Sequence, residues 1–195
     1  MGSSYATPEE IFETKKKTAV PMMWLGLVGI IMFFGGLTSA YVVRQAQGDW
    51  LYFDIPQIFF VSTGVIVASS FTMFFAQFLA KKGQVKAAAM ALLATLGLGI
   101  TFIVMQYMGF MDLVDIGVYF TGRESNASGS FFDILVWAHV AHVIGGLVAL
   151  IFTSVKALLG MYSAEDYIGI TVCGIYWHFL DILWIYLILF LVFIR

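Results

Sequence analysis

Between short clusters of charge, the chain runs through five long uncharged stretches: residues 18–43, 55–80, 87–111, 134–155 and 167–194, the last broken only by Asp181. Each reaches or exceeds the ~20 residues a helix needs to cross a hydrocarbon core about 30 Å thick. A membrane β-barrel would show spans of about 10 residues alternating apolar with polar. The stretches do not alternate. Composition agrees, with 61% of residues hydrophobic and only 11% charged, against about 25% charged in a soluble domain. The expected fold class is all-α: an integral membrane bundle of five transmembrane helices.

The spans divide the chain into a cytoplasmic amino-terminal segment, residues 1–17, and a membrane domain, residues 18–195. Helices are expected at about 18–44, 55–80, 86–111, 131–158 and 165–194. The amino end, MGSSYATPEEIFETKKK, mixes acids and bases, and the apolar run after it outlasts a signal peptide's core of about 7 to 15 residues. The first span is therefore expected to be retained. Positive loops stay cytoplasmic during insertion. Lys15, Lys16, Lys17, Lys81, Lys82, Lys86 and Lys156 fall on one side, and Arg44, Arg123 and Arg195 on the other. That bias predicts an amino terminus inside and a carboxyl terminus outside. The inner turns, KKGQVK and LLGMYSAED, are tight, and a capping box from Ser163 to Asp166 is expected to open the last helix.

Small residues let helix backbones approach where lipid removes the hydrophobic drive. They recur at Ala87, Ala91, Thr95 and Gly99 in the third span and at Ala141, Gly145 and Ala149 in the fourth. Shorter pairs, Gly36 with Ala40 and Gly64 with Ala68, mark the first two. These stripes are expected to face neighbouring helices, with Phe, Leu, Ile and Met turned to lipid or to a partner.

Several function classes drop out. A net charge of −2 speaks against a nucleic-acid partner. P-loop, GxGxxG and CxxC motifs are absent, as is any internal repeat. The lone Cys173 reads as a packing residue, and the sequon at Asn126 is too short to carry weight.

What chemistry there is lies in the last two spans. His139 and His142 stand three apart, and so do His178 and Asp181, which places each pair on one helical face about a turn apart. A buried polar side chain in a membrane must find a partner or mark a functional site. Three readings fit. The histidines could ligate haem or another metal, with His142 and His178 bracketing an iron as in a b-type cytochrome; two haems would want four such ligands, and the chain has three histidines. Asp133, His139, His142 and Asp181 could line the route of a small transporter, although repeats and broken helices are missing. Or the group is a structural polar network of His139, His142, His178 and Asp181 that locks a bundle presented to another membrane subunit. The third reading is favoured.

Taken in order, MFFGGLTSAYVVR at 32–44, SSFTM at 69–73, SFF at 130–132, the two histidines followed by VIGG, and YWHFLDILWIYL at 176–187 resemble subunit III of the haem-copper terminal oxidases, in its short five-helix bacterial form. The likeness spans residue 20 to the end, and WHFLD followed by Trp184 is its most specific element. The resemblance implies a non-catalytic subunit of a cytochrome c oxidase of aerobic respiration, with no catalytic, cofactor-binding or metal-ligating residue of its own. Haem and copper would lie in subunit I, which reduces oxygen and pumps protons. This chain would pack on it, bind phospholipid, support proton uptake and protect the active site. Other oxidase subunits and a larger respiratory supercomplex are further partners it implies, and a bacterial inner membrane the location. A quinol oxidase or a nitric-oxide-reductase-associated relative is the alternative.

By position, His139, His142, His178, Asp181, Trp177 and Trp184 match the family's polar and aromatic landmarks, and Tyr41 and Arg44 its helix-end motif. Two departures follow from the same comparison. Family members often carry a carboxylate where this chain has Ile30, and another where it has Gly109. The two leading helices of the seven-helix form are missing ahead of Pro21, so one arm of the lipid cleft would come from another chain or be absent.

Overall fold

A computed structural model describes residues 7–48, 50–118 and 127–194. Arg123, Arg195 and Asn126 of the sequon lie outside them, as does the start of the amino-terminal segment. The elements are α1 (Pro8–Gln45), α2 (Gln57–Lys81), α3 (Val85–Asp115), α4 (Ala127–Leu158) and α5 (Ile168–Phe193). All five contain stretches long and apolar enough to cross a membrane, and no strand occurs among the described residues.

The helix ends show where local chemistry overrides hydropathy. α1 starts at Pro8, well before residue 18, because Thr7 and Glu10 form a capping box: the Glu10 amide donates to Thr7 Oγ1 (3.2 Å) and the Thr7 amide to Glu10 Oε2 (2.7 Å). Two otherwise orphaned donors are thereby satisfied before the apolar run begins. α3 continues past residue 111 to Asp115, burying Leu113 completely. The capping box expected at Ser163 does not open α5. Ser163 Oγ accepts the amides of Glu165 (3.2 Å) and Asp166 (3.1 Å) in a separate turn, and α5 begins at Ile168 behind Tyr167, which caps nothing with its side chain. Within that connection burial raises the Tyr162 phenol above its ordinary range; its ring folds over Gly169.

The two short turns close in the same way. After α2, Gly83 N donates to Ala80 O (2.9 Å) and Gln84 N to Leu79 O (3.0 Å); after α4, Gly160 N donates to Ala157 O (3.1 Å) and Met161 N to Lys156 O (3.0 Å). This paired pattern needs a left-handed residue at its centre. Gly83 (φ 74°) and Gly160 (φ 68°) supply it.

Helices α2, α3, α4 and α5 form a closed ring, each touching the next, and α1 leans on the outside of the α4–α5 edge without contacting α2 or α3. Its seam is one-sided. Leu27, Phe34 and Tyr41, spaced by seven, are buried together with Thr38, the repeat of a helix following a single neighbouring groove. The carboxyl end of α1 is tied down where Gln45 Nε2 donates to Ile194 O (2.8 Å).

The small-residue stripes are only partly in register with the contacts. Thr95 and Gly99 are buried, but Gly36, Ala40, Gly64, Ala68, Ala141 and Gly145 face outward. The glycines that matter for packing are Gly99, Gly109, Gly146 and Gly174. A Cβ on Gly99 would lie 2.6 Å from the Trp177 ring and 2.8 Å from Leu147, and one on Gly109 would lie 2.8 Å from both Ile58 and Phe59. On α4 the pair Gly145–Gly146 offers two candidate registers, and the bulk of Trp177, Tyr176 and Leu180 opposite selects the second.

Candidate functional site

α5 carries four of the residues singled out by sequence, Trp177, His178, Asp181 and Trp184, and α2 turns out to hold them. Trp177 is buried at the centre of the ring. Its Nε1 donates to Ser69 Oγ on α2 (2.9 Å), while its ring lies against Gly99 of α3 and Gly146 of α4. One indole thus touches all three of the other ring helices. Trp184, two turns on and also fully buried, repeats the arrangement: Nε1 donates to Thr63 Oγ1 of α2 (2.9 Å), and the ring packs on Phe102 of α3 (centroids 5.2 Å) and His139 of α4 (5.1 Å). A tryptophan combines a large apolar body with one donor that must be satisfied when buried. In hydrocarbon the hydroxyls of α2 are the available acceptors.

His178 and Asp181 meet through the same helix. Ser70 Oγ donates to Asp181 Oδ2 and lies 3.0 Å from His178 Nδ1. A hydroxyl has one proton, so as donor to the carboxylate Ser70 accepts from Nδ1–H. The pair is therefore bridged by a third residue and does not close on itself. Asp181 is buried, and its Oδ1 has no hydrogen-bond partner among the described residues, whereas His178 is only half-buried.

His139 and His142 do not share a site. His139 is fully buried between Phe102 and Trp184, and neither ring nitrogen has a hydrogen-bond partner among the described residues. His142 turns to α1: Nδ1 bonds to Ala138 O (2.7 Å) and the ring contacts Phe34 (5.5 Å). Three residues along a helix rotate a side chain by about 60°, enough to give each imidazole a different neighbour. Asp133 is half-buried, with Oδ1 unpartnered among the described residues. Among the described residues, His, Cys, Asp and Glu side chains nowhere converge in threes that could hold a metal ion.

Tyr41 is buried in an aromatic cluster with Trp50 (4.6 Å) and Phe190 (5.2 Å), and Arg44 lies half-buried in the last turn of α1. A cation there complements the helix dipole.

Sequence reasoning missed the α2 hydroxyls as partners. Beyond Ser69, Ser70 and Thr63, Ser62 accepts from Gln106 Nε2 (2.9 Å), Thr72 bonds to Thr95 (2.8 Å), and Gln77 Nε2 reaches Thr171 O (3.4 Å). The signal was present: Thr63, Ser70 and Gln77 are spaced by seven and form one polar row along the span. That row faces α5.

The arrangement defines a class first: a multi-pass helical membrane protein whose last helix is fastened to α2 by a row of side-chain hydrogen bonds. The sequence profile of cytochrome c oxidase subunit III matches residues 51–194. A probable cytochrome c oxidase subunit 3 from Nocardia farcinica is 35% identical over 184 residues, covering 89% of this chain and 86% of the relative. The cytochrome c oxidase subunit 3 of Corynebacterium diphtheriae is 30% identical over 173 residues, covering 85% and 82%. A probable quinol oxidase subunit 3 from Staphylococcus saprophyticus is 26% identical over 170 residues, covering 84% and 83%. The chain belongs to the cytochrome c oxidase subunit III family.

Proposed function

We propose that this chain is an accessory subunit of a haem-copper oxidase of the bacterial inner membrane, with its amino terminus inside and its carboxyl terminus outside. In this reading it carries no redox centre. It packs against the catalytic subunit, where haem and copper reside, binds phospholipid, and steadies the active site and its proton supply. The observation that carries the reading is that each polar side chain singled out on α5 is tied to α2 through at least one atom. Both indoles, His178 and Asp181 bond to hydroxyls of α2, which is what a structural role requires and what a ligand set or a solute path would not need.

Ile30 and Gly109 bear on the proton role. Ile30 is half-buried against the core, and a side chain at Gly109 would overlap Ile58 and Phe59. A carboxylate at the second position would force α2 and α3 apart. Any support of proton uptake then works by holding the partner's route in shape, without a carboxylate at either of these positions. Cytochrome c is the favoured donor, since the relatives at 30% identity or above cited here are named cytochrome c oxidase subunits; the quinol oxidase relative keeps a quinol oxidase as the second reading.

The test is a mild-detergent pull-down of tagged chain from native membranes. Recovery of a large polypeptide bearing haem and copper is expected, and the co-purified subunits would separate the two donors. Recovery without such a polypeptide, or a stoichiometric Soret band on the chain purified alone, would overturn the proposal.

A further inference from the structure

α1 and α2 both lean on α5 but do not touch each other. The outer face of α5 therefore lies open between them. Ile182 is 67% exposed there, and Phe74 of α2, one turn from Ser70, is 61% exposed. Such apolar exposure alone is what lipid would cover. His178 is different: it stands on the same face, half-buried, with Nδ1 engaged by Ser70 and no hydrogen bond to Nε2 among the described residues. Whichever way the proton runs along His178, Ser70 and Asp181, Nε2 is left needing a hydrogen-bonding group.

Depth decides what can supply it. His178 lies near the middle of the 26-residue α5, about 15 Å from its first residue at 1.5 Å per residue. Headgroups sit at the edge of a hydrocarbon core about 30 Å thick, and acyl chains there offer neither donor nor acceptor. A polar side chain left facing hydrocarbon costs free energy. A second transmembrane helix with a hydrogen-bonding side chain removes that cost. Beside His178, an apolar groove of about 290 Å³ between α1 and α5, lined by Ile31, Phe34, Gly35, Phe179, Ile182 and Tyr186, can take the apolar side chains of the same helix.

We propose that the open α5 face between α1 and α2 docks a transmembrane helix of the catalytic subunit, which sets a hydroxyl, amide or indole against His178 Nε2. The proposal rests on the accessory-subunit reading and specifies its interface. The outer faces around Met90 of α3 and Phe152 of α4, 65% and 66% exposed, are the ones left to lipid.

The experiment places a photo-cross-linking amino acid at Phe74, Ile182, Met90 or Phe152 of the full chain in its native membrane. Irradiation of complexes carrying Phe74 or Ile182 replacements should join this chain to the haem-bearing polypeptide, several-fold more strongly than Met90 or Phe152 replacements. Adducts from Met90 or Phe152 alone, or only lipid adducts at Phe74 and Ile182, would overturn the docking face while leaving the accessory role intact. Failure of the chain to co-purify with any haem-bearing polypeptide would instead overturn the reading beneath it. Retention in the complex gives a second measure: His178→Leu should wash out of the complex several-fold faster than His178→Gln, and equal retention would remove the anchor.

Discussion

α1 and α5 are both long, apolar helices, yet they are held by different physics. In its most apolar stretch α1 buries 11% of its residues, and α5 50%. α5 is fixed by volume and by polarity together, with two indoles wedged against glycines and bonded to hydroxyls. α1 docks along one seam of apolar residues with few cross-helix hydrogen bonds, among them Tyr186 Oη to Thr38 Oγ1 (3.2 Å) and Gln45 to Ile194. Because lipid is as apolar as leucine, apolar contact alone fastens a helix weakly in a membrane. Close packing and hydrogen bonds make the ring a unit, and α1 is appended to it along one edge.

The sharpest way to break this comparison is Trp177→Ala. It empties the centre of the ring and removes the donor to Ser69 Oγ, and should cost about 3–5 kcal/mol, the range for large aromatic truncations; loss of folded chain in a thermal melt checks it. Trp24→Ala on α1, where the ring is 55% exposed, should stay within about 0.5 kcal/mol. Next comes Gly99→Ala, whose methyl would overlap Trp177 and Leu147, with an expected cost of about 1–3 kcal/mol from overpacking. The matched change Gly36→Ala on α1 meets open space and should be neutral or stabilising by up to about 1 kcal/mol through helix propensity. If the two glycines respond alike, the contrast between ring and appended helix fails. Smaller still, Ser69→Ala should cost about 0.6 kcal/mol and at most ~1.7, the measured span for membrane hydrogen bonds. A double-mutant cycle with Trp177→Phe reads that coupling directly, and no coupling would mean the bond does not contribute.

How much of this was legible in the sequence follows the same division. The five helices and the Gly83 and Gly160 turns were readable, because hydropathy length and left-handed glycine are local properties. The register of contacts was not. The small-residue stripe on α4 pointed to Gly145, but the neighbour fixing the register is Trp177, far away in sequence, and it packs on Gly146. The polar residues of α5 were found; their partners were missed. A serine or threonine in a membrane helix can satisfy itself on its own backbone, as Ser69 and Ser62 also do with Ile66 O and Phe59 O, so one such residue does not announce a cross-helix role and only the spacing of Thr63, Ser70 and Gln77 hints at it. His139 and His142 shared a face in projection and separated in space, since sixty degrees of rotation suffices when helices pack on both sides.

The central claim is that the buried polar residues of α5 hold the fold and do no chemistry. Asp181→Asn in the intact oxidase tests it most directly, with retention of this chain in the complex and initial turnover per haem measured on the same preparation. The expected result is a chain that melts or washes out more readily while initial turnover per haem stays within about twofold, a change of ~0.4 kcal/mol in barrier. A chain retained at full stoichiometry with turnover largely abolished would contradict it.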